Sequence, residues 1–267
     1  ITIHNKNVVY GAIKKFIPNE LLRSIASKFT QDSENNLSQI VFSGRSDLKF
    51  NDVFLDTFPN SKNDRVAFMR IKRPAIQELG PNEEYELKSS TFEALPYIFE
   101  DSVDDKNAYY HLLGLVSAKR EWKYIKRDYM TPRYPKQNNI DKFKVMIPES
   151  NGSGTLGEPL GKFEIGYPGD SSTTTFIGVG AFDTLEEAQN CSKYLKSKLV
   201  RCLLGILKIT QHNPQATWAY VPMQDFSPSS DIDWSKTIAE IDLQLYEKYH
   251  LSPEERAFIE EKVMPMD

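Results

Sequence analysis

The sequence is poor in the residue types that mark many enzyme classes. Only two cysteines occur in 267 residues, Cys191 and Cys202. They make neither a disulfide framework nor a Cys-x-x-Cys pair, which points to a reducing setting inside the cell, with a cytoplasmic location expected. The four histidines, His4, His111, His212 and His250, are scattered and show no metal-ligand spacing. No Gly-x-Ser-x-Gly elbow or Cys/His arrangement suggests a hydrolase. The glycine-bearing stretch 147–157 is not Gly-x-x-x-x-Gly-Lys-Ser/Thr, so a P-loop is excluded. No apolar run reaches the roughly 18 residues that a membrane span needs, so no membrane partner is expected. The segment 1–7 is polar and lacks both an initiator Met and the apolar stretch of a secretory leader. The chain therefore reads as a trimmed fragment of a longer protein.

What is present suffices for a folded chain. The composition is 40% hydrophobic and 26% charged, which removes it from the disordered class. At about 150 residues per domain, the length suggests one to two domains. The net charge of −4 argues against a uniformly basic protein. That total hides a strong asymmetry. Residues 119–144 carry nine Lys and Arg against three Asp and Glu, whereas 225–267 carry four against eleven. A basic centre is thus followed by an acidic tail.

Local patterns predict the elements. Pro18, Asn19 and Glu20 can open a helix with Leu22, Ile25 and Phe29 on one face. Val66 to Ile71 reads as a strand, and Gly80-Pro81-Asn82 as a turn. Val145-Met146-Ile147 is a strand stopped by Pro148, and Thr173 to Val179 is a β-branched strand. Thr184 and Glu187 form a capping box, from which one helix is expected to run to Ile209. Ser252, Pro253 and Glu255 open a last helix after one through Ile238, Ile241 and Leu245. These two make an acidic helical hairpin.

The basic centre has aromatic residues set among its charges. Lys119, Arg120, Lys123, Lys126, Arg127 and Arg133 can neutralise phosphates, and Trp122 and Tyr124 can stack on bases or anchor the strand. Backbone N–H groups at Asn151, Gly152 and Ser153 can approach a phosphate. Further along, Lys196 and Arg201 lie on the long helix, which ends in Thr210, Gln211 and His212, side chains able to contact bases or backbone. Phe176-Ile177-Gly178-Val179-Gly180 has the Phe-x-Gly-x-Gly spacing of a methyltransferase methionine loop. No Asn-Pro-Pro-Tyr-type catalytic tetrad accompanies it. Asp105 with Glu121-x-Lys123 has the approximate spacing of a metal-dependent nuclease, although Glu86-x-Lys88 matches its second half equally well.

Beyond single motifs, an ordered series carries a resemblance. It comprises the run from Lys142 to Gly154, Thr175-Phe176-Ile177-Gly178, Glu187-Ala188, Tyr194 to Arg201, Lys208-Ile209-Thr210-Gln211, Val221 to Phe226, and Asp231 to Ser235. In order and spacing it resembles the C-terminal region of bacterial restriction-modification adenine-specific DNA methyltransferases. The match covers residues 119–265, and 1–118 only weakly. The resemblance implies an α+β target-recognition domain, a mixed sheet with packed helices and a C-terminal helical hairpin, that reads double-stranded DNA. It implies a core recognition domain at 119–226, preceded by part of the same region at 1–118 and followed by a helical extension at 227–267. No catalytic residue or bound metal is expected in this stretch. S-adenosylmethionine would belong to the missing catalytic domain of the same polypeptide, the expected intramolecular partner. The alternative is a restriction endonuclease, or a combined restriction-methylase polypeptide, with nuclease residues in this chain.

Overall fold

The structure, a computed structural model, describes residues 17, 19–29, 35–152, 155–208 and 210–266. Its helices are α1 Glu20–Ser27, α2 Asp52–Thr57, α3 Ser61–Arg70, α4 Thr91–Ala94, α5 Leu185–Lys196, α6 Lys198–Leu207, α7 Ile238–Lys248 and α8 Pro253–Lys262. Its strands are β1 Val41–Phe42, β2 Leu48–Phe50, β3 Tyr109–Val116, β4 Lys119–Lys126, β5 Met130–Pro132, β6 Phe143–Pro148, β7 Glu164–Gly166, β8 Asp170–Ser172 and β9 Phe176–Phe182. The architecture is α+β. One sheet has the order β1-β9-β6-β7 and is antiparallel throughout. A second pairs β2 with β5. The third, β4-β3-β8, is mixed: β3 and β4 form an antiparallel hairpin, and β8 runs parallel to β3.

Two apolar cores organise these layers. The larger joins α1 and α5 to α8 to the first sheet through residues such as Ile147, Val179, Leu195, Leu199, Trp218 and Ile259. The smaller packs Phe50, Phe54, Phe92, Leu112, Ile125 and Met130 behind the third sheet. Leu113, Met146 and Phe176 bridge the first and third sheets. Residue 118, expected as a division, lies in the turn of the β3–β4 hairpin, where Ser117 and Ala118 both have positive φ. The larger core draws on residues from Ile17 to Val263.

Capping explains several boundaries. The Asn19 side chain accepts the Leu22 N–H at 2.9 Å and starts α1; Pro18 lies outside the described residues. The capping boxes at Thr184 and Ser252 are present. Residues 66–70 correct the expected strand, because they complete α3. Ser61, Arg65 and Val66 are buried at helical spacing, and Arg65 donates to the carbonyls of Glu83, Glu84 and Glu86. The Phe-x-Gly-x-Gly run lies within β9 between antiparallel neighbours, not at the start of a parallel βαβ unit. Gly180, at φ +92°, accommodates the register shift opposite Phe143 and Val145.

The helix expected from 185 to 209 is two helices. Ser197 has an extended ψ of 148° and its hydroxyl accepts the Val200 N–H. The break is also held from outside: buried Asp242 on α7 accepts the Lys198 and Leu199 N–H groups at 2.9 and 3.1 Å. A helix N-terminus thus receives a carboxylate from a distant element, which local sequence does not reveal. Burial raises the Asp242 carboxyl to about 6, although both donors oppose the shift. Its folded value lies above the ordinary 3.8, so its contribution is complete below about pH 4 and lost as pH rises through 6. Relative to Asp242→Asn, the parent is expected to lose roughly 3 kcal/mol between about pH 4 and pH 7. Urea unfolding across that range checks it; parallel pH profiles would contradict it.

The acidic tail braces the larger core. Lys28 pairs with Glu255, and Lys198 with Glu260. The Lys193 ammonium donates to the Trp234 carbonyl at 2.6 Å. The two C-terminal helices also touch each other, with Tyr246 donating to Glu260 at 2.9 Å.

Candidate nucleic-acid interface

Strand alternation divides the basic centre between two faces. Arg120, Trp122, Tyr124 and Lys126 share one face of β4, opposite Leu115, Leu113, His111 and Tyr109 of β3. Lys119, Glu121, Lys123 and Ile125 occupy the other, where Ile125 enters the smaller core. Lys119 is exposed. Lys123 is held by Asp101 at 2.7 Å and Glu121 at 3.2 Å, and the Asp101 bond raises its pKa above the ordinary lysine value. Asp105 instead caps its own turn through the Asn107 N–H, so the nuclease-like trio does not converge. Among the described residues, no group of three or more His, Cys, Asp and Glu side chains is placed to hold a metal ion.

The aromatic face builds a cleft. The His111 ring lies between Trp122 and Tyr124, stacked on each with centroids 4.4 Å apart. Its Nδ1 meets Asp170 Oδ1 at 3.2 Å, because β8 pairs in parallel and places Asp170 beside His111. The second oxygen of Asp170 accepts the Tyr167 N–H. Tyr167, half exposed, also lines an opening of about 490 Å³. Arg127 also borders it: Nε donates to the Tyr109 carbonyl and the guanidinium lies 4.2 Å from the Tyr110 ring centre. Lys126 is exposed at the strand end, 6.0 Å from the Tyr129 ring centre. Sequence reasoning singled out Trp122 and Tyr124 but missed Tyr109, His111, Tyr167 and Asp170. Alternation marks Tyr109 and His111 as one face; the parallel pairing that brings Asp170 has no local signal.

A second locus joins segments about 60 residues apart. The Asn151 N–H donates to Gln211 O, and the Asn213 N–H to Glu149 O. Ser150 and His212 form a β-bridge, with His212 Nδ1 2.8 Å from the Glu149 carboxylate. The Lys208 ammonium and the Asn213 amide both donate to Asn151 Oδ1, at 2.9 and 2.6 Å. Burial lowers the Lys208 pKa. Thr210 Oγ1 accepts the His212 N–H. Gly152 has φ +60°, and a Cβ there would meet the Glu158 carboxylate. Ser153 lies outside the described residues. A depression of about 530 Å³, lined by Arg120, Glu149, Ser150 and Phe176 among others, connects this locus with β4. Arg120 itself pairs with Glu164 at 3.2 Å and lies over the Phe176 ring.

Two expected contacts are engaged elsewhere. Arg133 donates to Ser46 O and, at 2.7 Å, to Glu86. Arg201 is 2% exposed and donates to the Lys196 and Gly157 carbonyls, and burial lowers its pKa. It faces inward because α6 is buried on nearly every side between the larger core and the C-terminal helices. Lys196 is only partly exposed, its ammonium 6.0 Å from the Phe163 ring centre. Among the described residues no helix is long and apolar enough to cross a membrane. A scan against protein-family models and a search of curated proteins find no match to the chain.

Proposed function

We propose that this chain recognises double-stranded DNA in a sequence-specific manner, as the target-recognition region of a cytoplasmic restriction-modification adenine DNA methyltransferase. The observation that carries the reading is the meeting of segments 149–152 and 210–213 beside a strand face on which Arg120 and Lys126 flank Trp122 and Tyr124. Such a surface combines phosphate neutralisation with the exposed side chains of Thr210, Gln211 and His212, of types that can reach base edges. In this reading the catalytic domain of the parent polypeptide holds S-adenosylmethionine and receives the target adenine from the stack. The acidic helices, in this reading, do not meet phosphate and brace the fold, as their pairs with Lys28 and Lys198 support.

Duplex binding measured by anisotropy against salt tests the proposal. Removing one cation that neutralises a phosphate is expected to make the slope of log K against log[salt] shallower by about 0.9. Lys126→Ala/Arg127→Ala, which removes two such cations, should make it shallower by about 1.8. Lys123→Ala should not, because Asp101 and Glu121 already hold its ammonium. Unchanged affinity and slope in the double variant would overturn the assignment of this face.

A further inference from the structure

We propose that the cleft between β4, β3 and the turn after β7 holds a single nucleobase lifted out of the DNA stack. The inference rests on the DNA-binding reading and assigns a ligand to one part of that surface. Its basis is the chemistry of the walls. Trp122, His111 and Tyr124 form a continuous stack of rings on one face of the sheet. Tyr109 and the half-exposed Tyr167 supply further aromatic surface around the same opening. Aromatic rings bind bases through their π-faces with little dependence on base identity; the faces of His111 are taken by its two neighbours, so the ring offered to a base is the half-exposed Tyr167.

The dimensions exclude a paired duplex. An opening of about 490 Å³ is far too small for a duplex, whose bases are covered by their neighbours and backbones. A base reaches these rings only by leaving the stack. The rim suits the attached phosphates, since Lys106 and Arg127 border the cleft and Lys126 shares the strand face of Trp122 and Tyr124.

The polar groups are placed to orient a flat ligand. Asp170 engages His111 Nδ1 and the Tyr167 N–H with its two oxygens. It thereby ties the central ring of the ladder to the turn after β7. No bond to His111 Nε2 is made by the described residues, which leaves that nitrogen to meet a base edge. The wall is further fixed by Gly169 at φ +89°, where a Cβ would press on Arg127 at 3.0 Å.

The test compares a fully paired duplex with the same duplex carrying one unpaired 2-aminopurine, using the full chain. Stacking of the unpaired base predicts tighter binding of the bulged duplex, by about tenfold, and quenching of its fluorescence. Tyr167→Ala removes an exposed ring and should abolish most of that preference for the bulged duplex. Tyr167→Phe, which keeps the ring, should restore it, and His111→Ala should lower it independently. Equal binding of both duplexes without quenching would overturn the cleft assignment and leave the DNA-binding reading standing. A preference indifferent to Tyr167→Ala and His111→Ala would also overturn it. Binding of neither duplex would overturn both readings.

Discussion

Lys144→Met is expected to lower the unfolding free energy by about 3 kcal/mol, because it removes the stronger of two positive charges acting on a buried carboxylate. Lys144 is 1% exposed on β6, with its ammonium donating to the Asp170 carbonyl at 2.9 Å. The charge opposite is Asp47, also buried, which accepts a 2.7 Å bond from Asn139. Burial lowers the lysine pKa and raises that of the aspartate, while each opposes the shift of the other. Neither charge is well solvated; Lys144 is the stronger of the two cations, with Arg133, that act on Asp47. The lysine stem is enclosed as well: a Cβ on Gly166 would lie 2.9 Å from its Cγ. Methionine keeps much of that volume and removes only the charge. Guanidinium unfolding at pH 7 measures the loss. Lys144→Met/Asp47→Asn should recover most of it, since neutralising both partners removes the unpaired ion. A double variant no more stable than the single would show that lost packing, not charge, accounts for the effect.

Trp218→Ala is the second large expected loss, about 3–5 kcal/mol from deleting a buried indole. Trp218 is fully buried in a short 3₁₀ turn, and its Nε1 donates to the Asn213 carbonyl at 3.4 Å. Asn213 in turn holds Asn151 and Pro148 through its side chain and Glu149 through its N–H. The cavity would therefore remove support from the polar locus. Alongside the lower midpoint, amide exchange at Asn151 and Asn213 should accelerate. Trp218→Phe should lose less and keep those amides protected. Unchanged exchange in the alanine variant would separate the locus from the core beneath it.

What could be read in advance depended on how local its cause was. The boxes at Thr184 and Ser252 were legible because cap and acceptor lie three residues apart. The strand around Val145 to Ile147 was legible from its apolar run. Val66 to Ile71 misled because a short apolar-rich stretch fits either period, and the inward reach of Arg65 decided for a helix. The break at Ser197 depends on Asp242, a residue 45 positions away. In the candidate site, the run of charge at 119–133 was visible, but its partition between two faces and the internal pairing of Lys123 and Arg133 were tertiary facts. The meeting of Asn151 with Gln211 and Asn213 was equally invisible, since it requires the first sheet to form.

The parallel seating of β8 on β3 has a kinetic consequence. The β3–β4 hairpin closes over a two-residue turn, so its three-ring ladder can form within one short stretch of chain. Its second edge waits for Asp170, 59 residues beyond His111. Pairings over such distances slow folding because chain entropy is lost before contacts form. During synthesis the ladder therefore emerges before its covering wall. Completion of the cleft reports a late folding event, and maturation of Trp122 fluorescence should lag behind formation of the hairpin.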